Sequence, residues 1–133
     1  MIVVDTNVIA YLLIPGPFSD FARQAATKDS QWCAPLLWRS ELCNIFTIYL
    51  RRSAMSLDEA RLKFRAAERL LWGREHTVRW SVVLDCVMRS TRSAYDCEFV
   101  ALAMDLGLKL VTADSPIVRD FPDTAIHLRD FIA

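Results

Sequence analysis

The sequence predicts an α/β fold of three layers, with a central parallel sheet of about four to five strands held between helices. Short apolar runs alternate with helical segments along the chain, the arrangement that pairs strands in parallel through helical crossovers. The first run, "IVV" at Ile2–Val4, is apolar at every position instead of alternating, as in a strand buried on both faces. The length of 133 residues, 53% of them hydrophobic, suits a single domain over residues 1–133 with one core.

The elements follow in order. After the first strand, "VIAYLL" at 8–13 reads as a helix ended by the "PGP" of 15–17, and Ser19 then caps a second helix over "DFARQAAT". "QWCAP" at 31–35 is the second strand. Pro35 opens a long helical stretch through Arg52, with Leu42, Ile45, Phe46 and Tyr49 on one face. Ser56 and Glu59 stand at capping-box spacing before a helix that runs to Gly73. "HTVRW" at 76–80 is the expected third strand and "VVLDCVM" at 82–88 the helix after it. "SAYD" at 93–96 opens a helix closed by Gly107, "LKLVTAD" at 108–114 is the fourth strand, and "SPIVRDF" is a short helix with Pro116 in its first turn. "AIHLRDFI" at 125–132 contains the last strand.

Sixteen basic and sixteen acidic residues balance, so gross charge does not draw nucleic acid, and any basic footprint is local. Cys33, Cys43, Cys86 and Cys97 stand singly in apolar surroundings, without a C-x-x-C or a paired His, which argues against zinc and for reduced thiols. No signal-peptide pattern precedes the first strand and no apolar run can span a bilayer, so the expectation is a cytoplasmic protein without a membrane partner.

Ligands of open α/β sheets bind beyond the carboxyl ends of the strands. Asp5 follows the first strand and Asp114 the fourth. The helix from Tyr95 to Leu106 advances roughly 18 Å and the following strand returns roughly 16 Å, which brings Asp96 back to the same edge. Glu41 lies one turn into the long helix, sharing a face with Asn44. Each acid also has an ordinary explanation. Asp5 and Asp114 suit helix N-caps, Ser93 with Asp96 is an acidic capping box, and a helical Glu commonly faces water. No Lys adjoins any of them in sequence. Carboxylates gathered without a cation repel and raise one another's pKa, and all-oxygen donors favour Mg2+ or Mn2+ over zinc. Such a site suits phosphodiester chemistry.

"VVDTNVIAYLL", "WCAPLLWRSELCNIF", "SAYDCEFVALA" and "LVTAD", in this order and spacing, resemble the PIN-domain ribonucleases, especially the VapC-type toxins of prokaryotic toxin–antitoxin pairs. The resemblance covers essentially the whole chain. It implies a PIN-like, Rossmann-like sheet and an acidic pocket for Mg2+ or Mn2+. Asp5 and Asp96 would be metal ligands, Asp114 a further or water-mediated one, and Glu41 a ligand or the group orienting the attacking water. Asn7, Asn44, Ser93 and Thr112 would support them, with capping as the competing role for Ser93 and Asn7. The implied reaction is cleavage of single-stranded or looped RNA to 3′-hydroxyl and 5′-phosphate ends. Two positions depart from the family pattern: Cys97 and Glu98 follow Asp96 where many relatives have small or apolar residues, and Ser115 stands where some have another acid.

Arg89 and Arg92 precede Asp96 closely enough to hold RNA phosphates, although Asp85 is placed to pair with Arg89 across one helical turn. Arg39, Arg51 and Arg52 are weaker candidates. Trp32, Trp38, Trp72 and Trp80 lie in apolar periodic segments and are expected in the core or an interface. The apolar faces of the helices over 36–50 and 57–71 are large for a small domain, and a homodimer, common in the family, would bury part of them. A cognate antitoxin follows from the resemblance alone, as a helix in a groove sending an Arg toward the acids. Rival readings fare worse. A receiver domain needs an acidic pair after the first strand and a late Lys, and a haloacid-dehalogenase-type phosphatase needs a second Asp where Asn7 stands. A non-catalytic PIN-like module that binds protein or RNA is the alternative from another class.

Overall fold

The computed structural model describes residues 1–133. It contains β1 (Ile2–Val4), α1 (Thr6–Leu13), α2 (Ser19–Lys28), β2 (Trp32–Pro35), α3 (Trp38–Arg51), α4 (Leu57–Leu70) and β3 (Glu75–His76). It continues through α5 (Trp80–Met88), α6 (Ala94–Leu106), β4 (Leu110–Thr112), α7 (Ser115–Asp120), β5 (Ala125–His127) and α8 (Leu128–Ile132). The five strands form one sheet in the order β3-β2-β1-β4-β5, and every pairing is parallel. The predicted three-layer α/β/α architecture is the one found.

The continuous apolar runs become the central strands. Val3, Val4, Leu110 and Val111 are completely buried, with Val3 beside Leu110 and Val4 beside Val111. α6 is almost as deeply enclosed: Cys97 and Phe99 through Ala103 are all buried. Burying a large apolar side chain such as Phe99 contributes about 1.5–3 kcal/mol. Ser93 and Ser56 accept hydrogen bonds from Asp96 N and Glu59 N, capping α6 and α4 as their spacing predicts. Gly107 ends α6 at φ 64°, a left-handed backbone that L side chains adopt only with strain.

Five details differ from the sequence reading. Ser19 is the first residue of α2 instead of its cap; its Oγ accepts from Gly16 N and donates to Ile14 O, bracing the "PGP" turn. α3 opens at Trp38, because Pro35 is drawn into β2, where its position pairs with His76. β3 sits at Glu75–His76, ahead of the apolar "TVRW". It is anchored by Arg39, which donates to both Glu75 carboxylate oxygens at 2.7 and 3.1 Å and to Glu68 at 2.9 Å. The last segment divides into β5 and the short helix α8. Finally, Cys43 is exposed, whereas Cys33, Cys86 and Cys97 are buried, and all four are free thiols.

Candidate active site

β1 and β4 are neighbours and end at the same sheet edge, so the residues that follow them meet. Asp5 leaves β1 in extended backbone (φ −72°, ψ 152°) and caps α1, its Oδ1 accepting from Thr6 N at 2.8 Å. Capping does not exhaust it. Its Oδ2 accepts the Thr112 hydroxyl at 2.7 Å, joining the ends of the two central strands. The Thr112 Oγ1 in turn accepts from Asp114 N at 3.0 Å, so one fully buried hydroxyl holds Asp5 and shapes the loop carrying Asp114. Asn7 spans the same two loops with long hydrogen bonds, from Nδ2 to Asp5 Oδ2 at 3.5 Å and from Ala113 N to Oδ1 at 3.4 Å.

Glu41 reaches this edge from α3. Thr6 Oγ1 donates to its Oε1 at 2.8 Å, so adjacent residues, Asp5 and Thr6, engage both β4 and α3. Asp96 is the third residue of α6, its amide satisfied by Ser93 Oγ at 3.1 Å while its carboxylate stays free of that bond. Asp114 occupies the N-cap position of α7 without making a side-chain cap. Asn44 lines an open cleft of about 440 Å³ together with Leu37, Ser40, Glu41, Ile45 and Tyr95.

The acids act on one another electrostatically. Burial above all, against the Thr112 hydrogen bond that lowers it and with the charges of Glu41 and Asp96 adding to the rise, pushes the Asp5 carboxyl up to about 7. Burial also raises Glu41, with the Thr6 hydrogen bond opposing and the charges of Asp96 and Glu98 adding to the rise. Asp96 is raised by burial and then by Asp114, with Arg92 opposing. None of the ion pairs in the chain includes Asp5, Glu41, Asp96 or Asp114. Uncompensated carboxylates at a strand edge are the donor chemistry of a hard, oxygen-seeking divalent cation. In donor type these residues fit Mg2+ or Mn2+. In position they are not a finished cage, since no group of three or more His, Cys, Asp or Glu side chains is arranged to hold an ion. The Asp5 and Glu41 oxygens are instead tied to Thr112 and Thr6.

The arginines are placed unequally. Arg89 is exposed and makes no ion pair with Asp85. Arg92 packs against α7 with Nε 3.8 Å from Asp120 Oδ2, and that Nε is buried without a hydrogen bond. Arg39 is committed to Glu68 and Glu75. Trp32 and Trp38 are core residues, whereas Trp72 and Trp80 are 79% and 76% exposed and lie outside the core.

Sequence reasoning missed Thr6 as the partner of Glu41, although its place between Asp5 and Asn7 was a signal. It also missed His127. That ring accepts from Arg129 N through Nδ1 at 3.2 Å, which leaves Nε2 to carry the proton and donate to Ala113 O at 3.2 Å. His127 thereby supports the loop between Thr112 and Asp114 from β5, a contact visible only in three dimensions.

A parallel sheet in this order with carboxylates at the ends of its central strands defines a class, and residues 2–122 match the family model of the PIN domain; the chain belongs to that family. Among solved structures it is similar to FitAcB from Neisseria gonorrhoeae, at 19% identity, 97% coverage of this chain, 99% of that one and a TM-score of 0.70. It is also similar to FitAB bound to an IR36 DNA fragment, at 19% identity, 96% and 95% coverage and a TM-score of 0.69. At these identities the likeness is one of fold. No curated protein matches the chain significantly.

Proposed function

We propose that this chain, acting as a single PIN unit over residues 1–133, is a metal-dependent endoribonuclease and the toxin of a toxin–antitoxin pair. The observation that carries the reading is the set of four carboxylates, following β1, on α3, on α6 and following β4, that gather at one edge with none of them in an ion pair. Asp5 and Asp96 would hold a Mg2+ or Mn2+ ion, with Asp114 as a further or water-mediated ligand. When bound, the ion supplies positive charge beside the scissile phosphate and eases deprotonation of water. Thr112 fixes the Asp5 carboxylate, and Thr6 fixes one oxygen of Glu41, leaving the other to orient the attacking water and take its proton. Attack at phosphorus breaks the P–O3′ bond and leaves 3′-hydroxyl and 5′-phosphate ends. Arg89 and Arg92 hold flanking phosphates, with Arg92 first released from Asp120.

The partners proposed are RNA, a cognate antitoxin and a second copy of the chain, in the cytoplasm. The similar structures of FitAcB and FitAB support the antitoxin by their two-component names, and exposed Leu57, Leu62 and Ile48 on α3 and α4 leave apolar surface for a protein partner. No helix is long and apolar enough to cross a membrane.

The test is cleavage of a panel of structured RNAs with Mg2+, with Mn2+ and with EDTA, by wild type and by Asp5→Asn and Asp96→Asn. Metal-dependent cutting lost in both variants is expected. One observation favours a second reading, a non-catalytic binding module: the absence of a finished metal cage. Equal inertness of wild type and variants, with no metal binding detected by calorimetry, would put that reading ahead.

A further inference from the structure

We propose that His127 is a positioning residue: from β5 it fixes the peptide that carries Asp114 and thereby sets that carboxylate toward a bound Mg2+ or Mn2+ ion, a role that rests on the nuclease reading. The four acids are not held alike. The Asp5 carboxylate is tied by Thr6 N and Thr112 Oγ1, and one Glu41 oxygen by Thr6 Oγ1. Asp96 rides the first turn of α6, which Ser93 caps. Asp114 caps no amide and enters no ion pair, so its place is set by its backbone alone. Asp114 N donates to Thr112 Oγ1 at 3.0 Å, Ala113 N donates to Asn7 Oδ1 at 3.4 Å, and the His127 ring meets Ala113 O at 3.2 Å. Asn7 therefore holds the loop from the β1 side of β4, and His127 braces it from the β5 side.

The ring performs two tasks with separate atoms. His127 is the N-cap of α8, and its Nδ1 accepts from Arg129 N at 3.2 Å. A ring nitrogen that accepts is unprotonated, so the proton of the neutral ring stands on Nε2 and is donated to Ala113 O. The strand register keeps the reach short, because Thr112 pairs with His127 between β4 and β5 and the chain enters the loop one residue later. Leu128, the next residue, is completely buried and anchors the backbone behind the ring. Capping alone needs only the acceptor, which Asn, Asp or Ser would provide. The bond from the second nitrogen to the peptide beside a site acid is what capping leaves unexplained.

Substitution separates the two tasks. Asn carries an acceptor as many bonds from Cβ as Nδ1, and Gln a donor as many bonds away as Nε2. His127→Asn therefore keeps the cap and loses the loop contact, while His127→Gln does the reverse. Urea melts check that both variants fold, and calorimetry follows Mn2+ binding to each. His127→Asn is expected to weaken Mn2+ binding roughly tenfold at near wild-type stability. His127→Gln should bind Mn2+ within about twofold of wild type while melting at lower urea. In the Asp114→Asn background, His127→Asn should add no further loss, because both changes act on one carboxylate. Before any metal is added, nitrogen NMR of the wild-type ring at about pH 8 should show the Nε2–H tautomer. The Nδ1–H tautomer, equal Mn2+ affinity in wild type and His127→Asn, the same loss in His127→Gln as in His127→Asn, or additive losses with Asp114→Asn would overturn the role. The two readings fail separately. A chain whose Mn2+ affinity depends on His127 but which cuts no RNA loses the nuclease and keeps the positioning role. Metal binding and cutting that ignore His127→Asn keep the nuclease and lose the role, and no Mn2+ binding to wild type overturns both.

Discussion

Asp5 shows how a helix cap can also tie two strands together. One oxygen caps α1 and the other meets Thr112 across the sheet, so the carboxylate is rigid, only 8% exposed and unpaired with any cation. Its pKa is raised from 3.8 to about 7, chiefly by burial. The folded chain therefore holds a proton that the unfolded chain has lost between those values, and stability falls as pH rises through that window. The upper bound of this loss is about 4 kcal/mol. Without divalent ions, Asp5→Asn is expected to unfold at higher urea than wild type at about pH 8, with the gap closing toward about pH 4. Parallel urea midpoints at both pH values would contradict the assignment. Thr112 supplies a complementary test. Thr112→Val removes the donor to Asp5 and the acceptor for Asp114 N, and is expected to cost about 1–3 kcal/mol in denaturant melts, whereas Thr112→Ser should keep most of that stability.

At the scale of elements, α6 carries an acid to the site because its first turn is fixed by Ser93. Ser93→Ala is expected to lower stability by about 1 kcal/mol, and Ser93→Asn to restore it, as read by thermal melts. If RNA cleavage, once established, fell far beyond the change in folded fraction in Ser93→Ala and returned in Ser93→Asn, the cap would also be setting the Asp96 carboxylate. Elements with strong local signals were legible in the sequence: the all-apolar β1, the capping residues Ser56 and Ser93, and Gly107. β3 was not, because a two-residue edge strand of Glu75 and His76 has no apolar pattern, and its place is set by Arg39 from a distant helix. α8 was hidden for a related reason. Five residues are too few for a period, and its cap is the side chain of His127.

For the whole molecule, the helix and strand lengths alone placed Asp96 and Asp114 at a common edge, and the charge of Asp114, which raises the Asp96 carboxyl, agrees with that placement. Glu41 could not be placed in this way, since its position depends on how α3 packs against α1, where Thr6 receives it. The exposure of Trp72 and Trp80 was equally out of reach, because apolar periodicity marks a face without saying what covers it. The central claim is that four acids from separate parts of the chain serve one divalent cation. Calorimetric titration of Mn2+ into wild type, Asp5→Asn and Asp96→Asn tests it most directly. Saturable binding by wild type, weakened at least about tenfold in each folded variant, is the predicted result. Absence of binding to wild type, or binding that neither substitution alters, would contradict it.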